Sequence, residues 1–377
     1  MRLVASGVLS AAEPGTSRAV AKQVHLAAFA DGEVLATYRI GAASDSAVGN
    51  AEVRRSSDGG RTWSDAATPW STSFGGRRGT IYAPSLTVLG GYRVLACVLW
   101  VDREAFPGAP IFNPETEGCL PMKILLADSE DRGRTWTAWR EVTMPDDVGP
   151  PSLTSPVRRL ASGRLLLSVE SNKPYLDRDR WYQRVVYLYS ADEGRTWTDP
   201  VTVCEDPTGR IRNWDQRVNV APDGRLVSFT WTYDSETVTY RDIHRRISSD
   251  EGLSWTEPEP LGITDQAGHP AILPDGRVVL PWVDHFETHS LRARLAASIE
   301  APFERSTEIV LYLRPVALGG VAGEGGHGGD ALVAMGTWTF GSPFALSVAD
   351  GLVLVAAYVG DTDEALGINW YLLDPDR

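Results

Sequence analysis

Apolar residues in this chain come in short runs rich in Val, Leu, Tyr and Trp, and a helical spacing of apolar positions is almost absent. Runs of this length bounded by Gly, Asp and Ser predict β-strands, because branched and aromatic side chains fit the pleated, half-buried surface of a sheet. One unit recurs: a Gly-centred turn followed by an apolar strand. It occurs at Asp31-Gly32 before VLATY, Gly90-Gly91 before RVLACVLW, Ser162-Gly163 before RLLLSVE, Asp223-Gly224 before RLVSFTW, Asp275-Gly276 before RVVLPWV and Asp350-Gly351 before LVLVAAY. Six such turns imply six hairpins, spaced roughly every 50 to 75 residues, which accommodates a four-stranded propeller blade with its loops.

A second repeat is superimposed on the first. The string Ser-x-Asp-x-Gly-x-Thr-Trp occupies residues 56–63, 129–136, 190–197 and 248–255, with Ser254 in place of Thr in the last copy. Its chemistry is that of a hairpin turn: the Asp carboxylate accepts loop amides, Gly takes a positive φ, and Trp packs between neighbouring sheets. These aspartates are therefore read as structural. The fifth unit has Ser298 to Phe303 where the string would fall, and the sixth has no copy. The last strand, INWYLL, then needs a partner, and the N-terminal RLVASGVLS is expected to complete the last blade and close the ring. The expected fold is all-β, a six-bladed propeller forming one domain over residues 1–377.

Composition narrows the partners. A hydrophobic content of 43% with 23% charged residues is that of a globular protein with a large core. The net charge of −13 argues against nucleic acid and anionic membrane as partners, while leaving room for a local basic pocket. Cys97, Cys119 and Cys204 form no C-x-x-C pair and no metal-ligand spacing, so neither metal nor cofactor is expected, and a reducing, cytoplasmic location is. The opening MRLVASGVLSAAEPG is read as a first strand rather than a secretion signal, since its apolar stretch is short and interrupted by Ser and Gly.

The repeated string, distributed over a propeller, resembles the Asp-box of the sialidase (neuraminidase) superfamily, along essentially the whole chain. The resemblance implies a site on the face opposite the Asp-boxes. Sialidases share three arginines that clamp the substrate carboxylate, a Tyr nucleophile assisted by Glu, and an Asp acid/base on a first-blade loop. Here TYRIGAASDSAVGN looks like that loop, with Arg39 at a substrate-contacting position and Asp45 near the acid/base. The segment Asn213-Trp214-Asp215-Gln216-Arg217 falls where the family carries an Asn-Glu motif, so that Asp215 stands for the Glu. Three departures matter. The family's Arg-Ile-Pro motif is replaced by Lys22-Gln23-Val24-His25, a second clamp position by Phe229-Thr230-Trp231, and the fifth-blade loop offers His269 without an Arg. Neither Trp nor His reproduces the bidentate geometry of Arg on a carboxylate.

The resulting expectation is an exo-acting glycoside hydrolase on a non-sialic or acidic sugar, with a glycan or small glycoside as its partner. Asp45 and Asp215 are the leading carboxyl pair, with Asp234, Asp242 and Asp284 in reserve. Tyr38, Arg39, Trp214, Arg217, Trp231, Tyr233, Arg241, Asp284, His285 and Trp338 are the candidate sugar-binding residues, and Trp100, Trp181 and Trp282 further indole platforms. Two other readings remain open. A uronate-cleaving lyase would need a base such as His269, His244, His285, Tyr82 or Tyr233, and His327 also falls near the expected mouth. A non-catalytic sugar-binding propeller would be compatible with the incomplete arginine clamp.

Overall fold

The computed structural model describes residues 1–315 and 336–377, and its strands are arranged as a propeller-like series of antiparallel meanders. The first comprises Val20–Ala28, Val34–Gly41 and Asn50–Ser56. Next come Arg77–Gly90, Arg93–Asp102, Met122–Ser129 and Arg140–Val142. Leu165–Glu170, Arg184–Ser190 and Val201–Glu205 follow, with the short pieces Ser152–Leu153 and Arg158–Arg159 on their inner edge. Then Ile211–Val220, Leu226–Asp234, Thr239–Ser248 and Glu259–Thr264 form one sheet. Val278–Asp284, Ser290–Ala296 and Ile309–Leu313 form the next, again with a split inner edge, Gln266–Ala267 and Ala271–Ile272. Phe340–Ser347, Val353–Thr362 and Ala365–Asp374 end the chain. Among the described residues these pair into five sheets, because one parallel bridge, Val20 to Leu366, joins the last meander to the first in a seven-stranded sheet.

The N-terminal strand Arg2–Ser10 pairs antiparallel with Ala365–Asp374, from Arg2 opposite Asp374 to Ser10 opposite Ile368. This is the closure expected from the sequence, and it covers an edge that would otherwise be open.

Apolar packing follows the same circular order. Leu35 and Val53 meet Ile81 and Val98 in one cluster, and Leu99 and Leu126 meet Leu153 and Leu167 in the next. Val185 packs with Val218, Phe229 with Leu280, and Val283 with Phe340. Leu354 and Ile368, near the end of the chain, then pack with Val20 and Leu26 near its start. Each cluster lies between two meanders, so the faces that a lone sheet would expose are buried by its neighbours.

The Asp-boxes are built as the string predicts. In the second copy Ser129 Oγ accepts from Gly133 N at 2.7 Å, while Asp131 accepts from Thr135 N at 2.8 Å and Thr135 Oγ1 at 2.6 Å. In the third copy, donation from the Thr196 hydroxyl and the Thr196 and Arg195 amides holds the Asp192 carboxyl down at about 2. Gly60 takes φ +93°, and a Cβ there would fall 2.5 Å from Leu354 of the neighbouring meander.

What positions the site is a set of interruptions in the innermost strands. Four bulge at a residue with positive φ: Gln23 (56°), Ala83 (42°), Asp215 (52°) and Ser342 (46°). The other two inner edges are split, leaving Thr154 and His269 in the gaps. A bulge bends a strand and re-aims its side chain, and here residues from all six interruptions surround one axial space. Register places this level away from the Asp-boxes. Ser56 lies opposite Val34 and Ser248 opposite Leu226, whereas Lys22 pairs with Arg39 and Trp214 with Trp231 toward the other end of the same strands.

Candidate active site

A cavity of about 400 Å³ lies at that end, with residues from every meander in its wall. One side is aromatic. Trp214 and Trp231 have ring centroids 5.6 Å apart, Trp231 and Trp338 5.7 Å, and Trp181 and Trp214 6.3 Å, and all four indoles line the cavity. Tyr233 stacks behind Trp214 at 4.9 Å and is itself fully buried, supporting the wall without lining it. Such a surface fits the C–H face of a sugar ring.

Another part of the wall is polar and anchored by Arg39. Its guanidinium donates to the carbonyls of Ala43 and Ser46 at 3.3 Å and to the Tyr82 hydroxyl at 3.0 Å, and lies 4.1 Å from the Tyr82 ring centroid. The small residues of the loop after Arg39 permit this wrapping: a Cβ at Gly49 would lie 2.6 Å from Arg39 Nη2. Asp45, on that loop, accepts from the Tyr82 hydroxyl at 3.0 Å and the Ile111 amide at 2.9 Å, and pairs with Arg103. Lys22 occupies the position where the sialidase resemblance calls for Arg. Its Nζ lies 4.8 Å from the Tyr358 ring centroid and donates to the Gly336 carbonyl at 3.4 Å. Burial, reinforced by Arg39, lowers the Lys22 ammonium to about 7.

Deeper in the cavity two carboxyl groups are neighbours in unlike environments. Asp215, on its bulge, is ion-paired with Arg217 at 3.0 Å and accepts from the Gln266 amide. Glu170, at the end of its strand, accepts from the Gln216 amide at 3.2 Å. Burial, with Asp215 adding repulsion, pushes Glu170 up to about 8, so it holds its proton at neutral pH. Tyr358 faces the same space, and burial followed by the charge of Asp215 raises its phenol far above the usual value.

The cavity thus brings together Arg39, Asp45, Asp215, Trp214, Trp231 and Trp338 of the sequence candidates, along with Tyr82 and Trp181. Others lie elsewhere for visible reasons. Tyr38 is buried in its sheet, its hydroxyl donating to Glu52 at 2.7 Å. Arg241 pairs with Asp234 at 2.6 Å, and Arg210 holds the same carboxylate at 2.8 Å. Asp284 caps its own hairpin by accepting from the Glu287 and Thr288 amides. Asp242 likewise accepts from the Gly262 amide. His285 is fully buried behind Trp338, with ring centroids 3.8 Å apart and Nδ1 2.8 Å from Asp265. His244 lies outside the cavity wall, and Trp100 and Trp282 serve as packing between sheets. His269 and Arg217 line a smaller chamber beneath the cavity rather than the cavity itself. His327 lies outside the described residues.

The sequence marked Lys22 and Gln23 only as a departure from the family's arginine motif, and offered neither them nor Glu170, Gln266 or Tyr358 as site residues. The available signal was an ionisable residue within or ending an otherwise apolar strand, as in RLLLSVE and VAKQVHLAA. Such a group must be paired, neutralised or functional.

The comparisons agree with this architecture. The BNR repeat-like domain family matches residues 111–280. No curated protein sequence matches the chain. A protein of unknown function from Dyadobacter fermentans superposes with a TM-score of 0.73 at 20% identity, covering 98% of both chains. The intramolecular trans-sialidase of Ruminococcus gnavus, in complex with oseltamivir carboxylate, superposes at 0.64 with 14% identity over 100% of this chain and 98% of its own. The α-L-arabinanase of Penicillium chrysogenum, complexed with arabinobiose, gives 0.66 and 16% over 100% and 99%. At these identities the solved structures speak to fold. Together with the four Asp-boxes and the match over residues 111–280, they support a fold similar to that of the sialidase-like, BNR-repeat propellers.

Proposed function

We propose that the protein is an exo-acting glycoside hydrolase of six blades, taking a terminal sugar that carries an anionic group. The observation that carries this reading is a single cavity lined by Asp45, Asp215, Glu170 and Tyr358 together with four indoles. Glycoside cleavage needs a proton donor at the leaving oxygen and a carboxylate or its proxy at the anomeric carbon. Asp45, held by Tyr82 and Arg103, sits where the sialidase resemblance puts the acid/base. Asp215 lies within electrostatic reach of Tyr358, the relation that the same resemblance assigns to the carboxylate and its Tyr nucleophile. Protonated Glu170 offers a donor to a sugar hydroxyl.

An anionic substrate is favoured by two cations on the wall. Arg39 is bonded to carbonyls and a hydroxyl, and Lys22 to a carbonyl; among the described residues neither makes a close ion pair with a carboxylate, and Asp363 acts on Lys22 only electrostatically. Trp231, standing where a clamp Arg would be, argues against sialic acid itself. Hydrolysis is preferred to elimination because the described candidate histidines and Tyr233 lie outside the cavity wall, while Tyr82, which lines it, donates its hydroxyl proton to Asp45 and has its phenol pushed up by burial. The count of six rests on reading the seven-stranded sheet as two blades joined by one parallel bridge. A cytoplasmic location rests on three buried, unpaired cysteines.

The test is turnover of a panel of glycosides by the wild type, Asp45→Asn and Asp215→Asn. Each substitution should lower kcat by about 100-fold or more while leaving substrate binding within a few-fold. Unchanged turnover in both variants would contradict the assignment.

A further inference from the structure

Directly beneath the cavity is a chamber of about 60 Å³ that shares Gln23, Thr154, Asp215 and Ser342 with it and adds His25, Arg217 and His269. A single water needs about 10–15 Å³ of such space, so the chamber has room for several waters or one larger ion. Its hydrogen bonding is incomplete in one direction. His25 is 7% exposed, and its buried Nδ1 has no hydrogen-bond partner among the described residues. The neutral imidazole always carries one N–H that needs an acceptor. Gln23 uses its side-chain oxygen to accept from the Ala83 amide at 2.9 Å, which leaves its NH₂ group without a partner there.

The other groups are already engaged. His269 Nδ1 lies 3.2 Å from the Pro270 carbonyl, a contact that requires the proton on Nδ1, and its Nε2 accepts from Arg158. Arg217 donates to the Ala267 and Thr154 carbonyls and pairs with Asp215. Arg158 donates to the Val218 carbonyl at 3.1 Å and has no carboxylate partner among the described residues. Asp215 is the one carboxylate on the chamber wall, and it is matched by Arg217. The neighbourhood therefore holds one guanidinium charge in excess, beside orphan N–H donors that lack an acceptor. Its field also drives both histidines toward the neutral form: burial comes first, followed by Arg217 and Arg158 for His25, whose value falls to about 3.

We propose that this chamber binds one small monovalent anion of halide size, accepting from His25 and Gln23 and balancing the charge of Arg158. Such an ion would stiffen the bulges at Gln23 and Asp215 from below and so support the floor of the cavity. The proposal is independent of which glycoside is cleaved, and of whether any is.

The experiment compares thermal unfolding in sodium chloride and in sodium methanesulfonate at equal ionic strength, and locates bromide by anomalous diffraction in crystals soaked with sodium bromide. Chloride should raise Tm saturably by roughly 2–4 °C over methanesulfonate. Arg158→Met should remove that rise, and a bromide peak should fall inside the chamber against His25 and Gln23. Equal Tm in the two salts, or only water in the chamber after the bromide soak, would overturn the proposal. Should Arg158→Met fail to fold, the bromide density on the wild-type protein decides the matter alone.

Discussion

Glu170 and Lys22 enter the same cavity with opposite charges, and burial makes each less willing to carry its own. The Glu170 carboxyl has an ordinary value of 4.5 and keeps its proton to about 8 when folded. Between those values the unfolded chain releases a proton that the folded one retains, so stability falls as pH rises from 4.5 to 8, by up to about 1.4 kcal/mol per unit. Glu170→Gln should therefore raise Tm at pH 8 by a few degrees relative to wild type, with the gain vanishing near pH 4.5; calorimetry across that range checks it. Lys22 is charged below about 7 and neutral above, so KM for an anionic glycoside should climb as pH passes 7, and Lys22→Met should flatten that climb. A neutral glycoside measured in parallel separates this effect from other titrations. Asp45 and Asp215 were legible in the sequence because they fall within family-like segments. Glu170 was not, and Lys22 was visible only as a missing arginine, because the significance of both comes from burial that only the assembled structure creates.

At the scale of elements, turns were the most readable feature. Each Asp-Gly or Gly-Gly turn precedes a strand because positive φ at Gly is a local requirement, independent of the rest of the fold. The bulges were hidden for the converse reason: Gln23, Ala83, Asp215 and Ser342 adopt positive φ without being Gly, and tertiary packing imposes that conformation. Arg2–Ser10 was placed correctly by counting unpaired strands. Deleting residues 1–10 should lower Tm by several degrees, since it uncovers the backbone groups of Ala365–Asp374; an unchanged melting curve would contradict the closure. Asp131→Ala removes an acceptor of Thr135 and Arg134 donors on the far face, and should cost about 1–3 kcal/mol in denaturant unfolding while leaving kcat unaltered.

At the scale of the molecule, the ring converts scattered sequence positions into one site. Lys22 and Tyr358 are far apart in the chain, yet the join between its last and first meanders brings them into contact. The repeats foretold this architecture, but not which mouth residues converge, because loops between strands can fold inward or outward with equal backbone economy. The loops bearing Asp234, Asp242 and Asp284 spend those carboxylates on arginines and amides at their own rims. The loop bearing Asp45 turns inward because Arg39 and Arg103 hold it. Mass spectrometry of the products formed from sialosides, neutral glycosides and uronosides decides whether the cavity hydrolyses its substrate. An anionic, non-sialic glycoside should release a sugar heavier by one water, with no such product from Asp215→Asn. An unsaturated product lacking that water, or equal release by Asp215→Asn, would contradict that expectation.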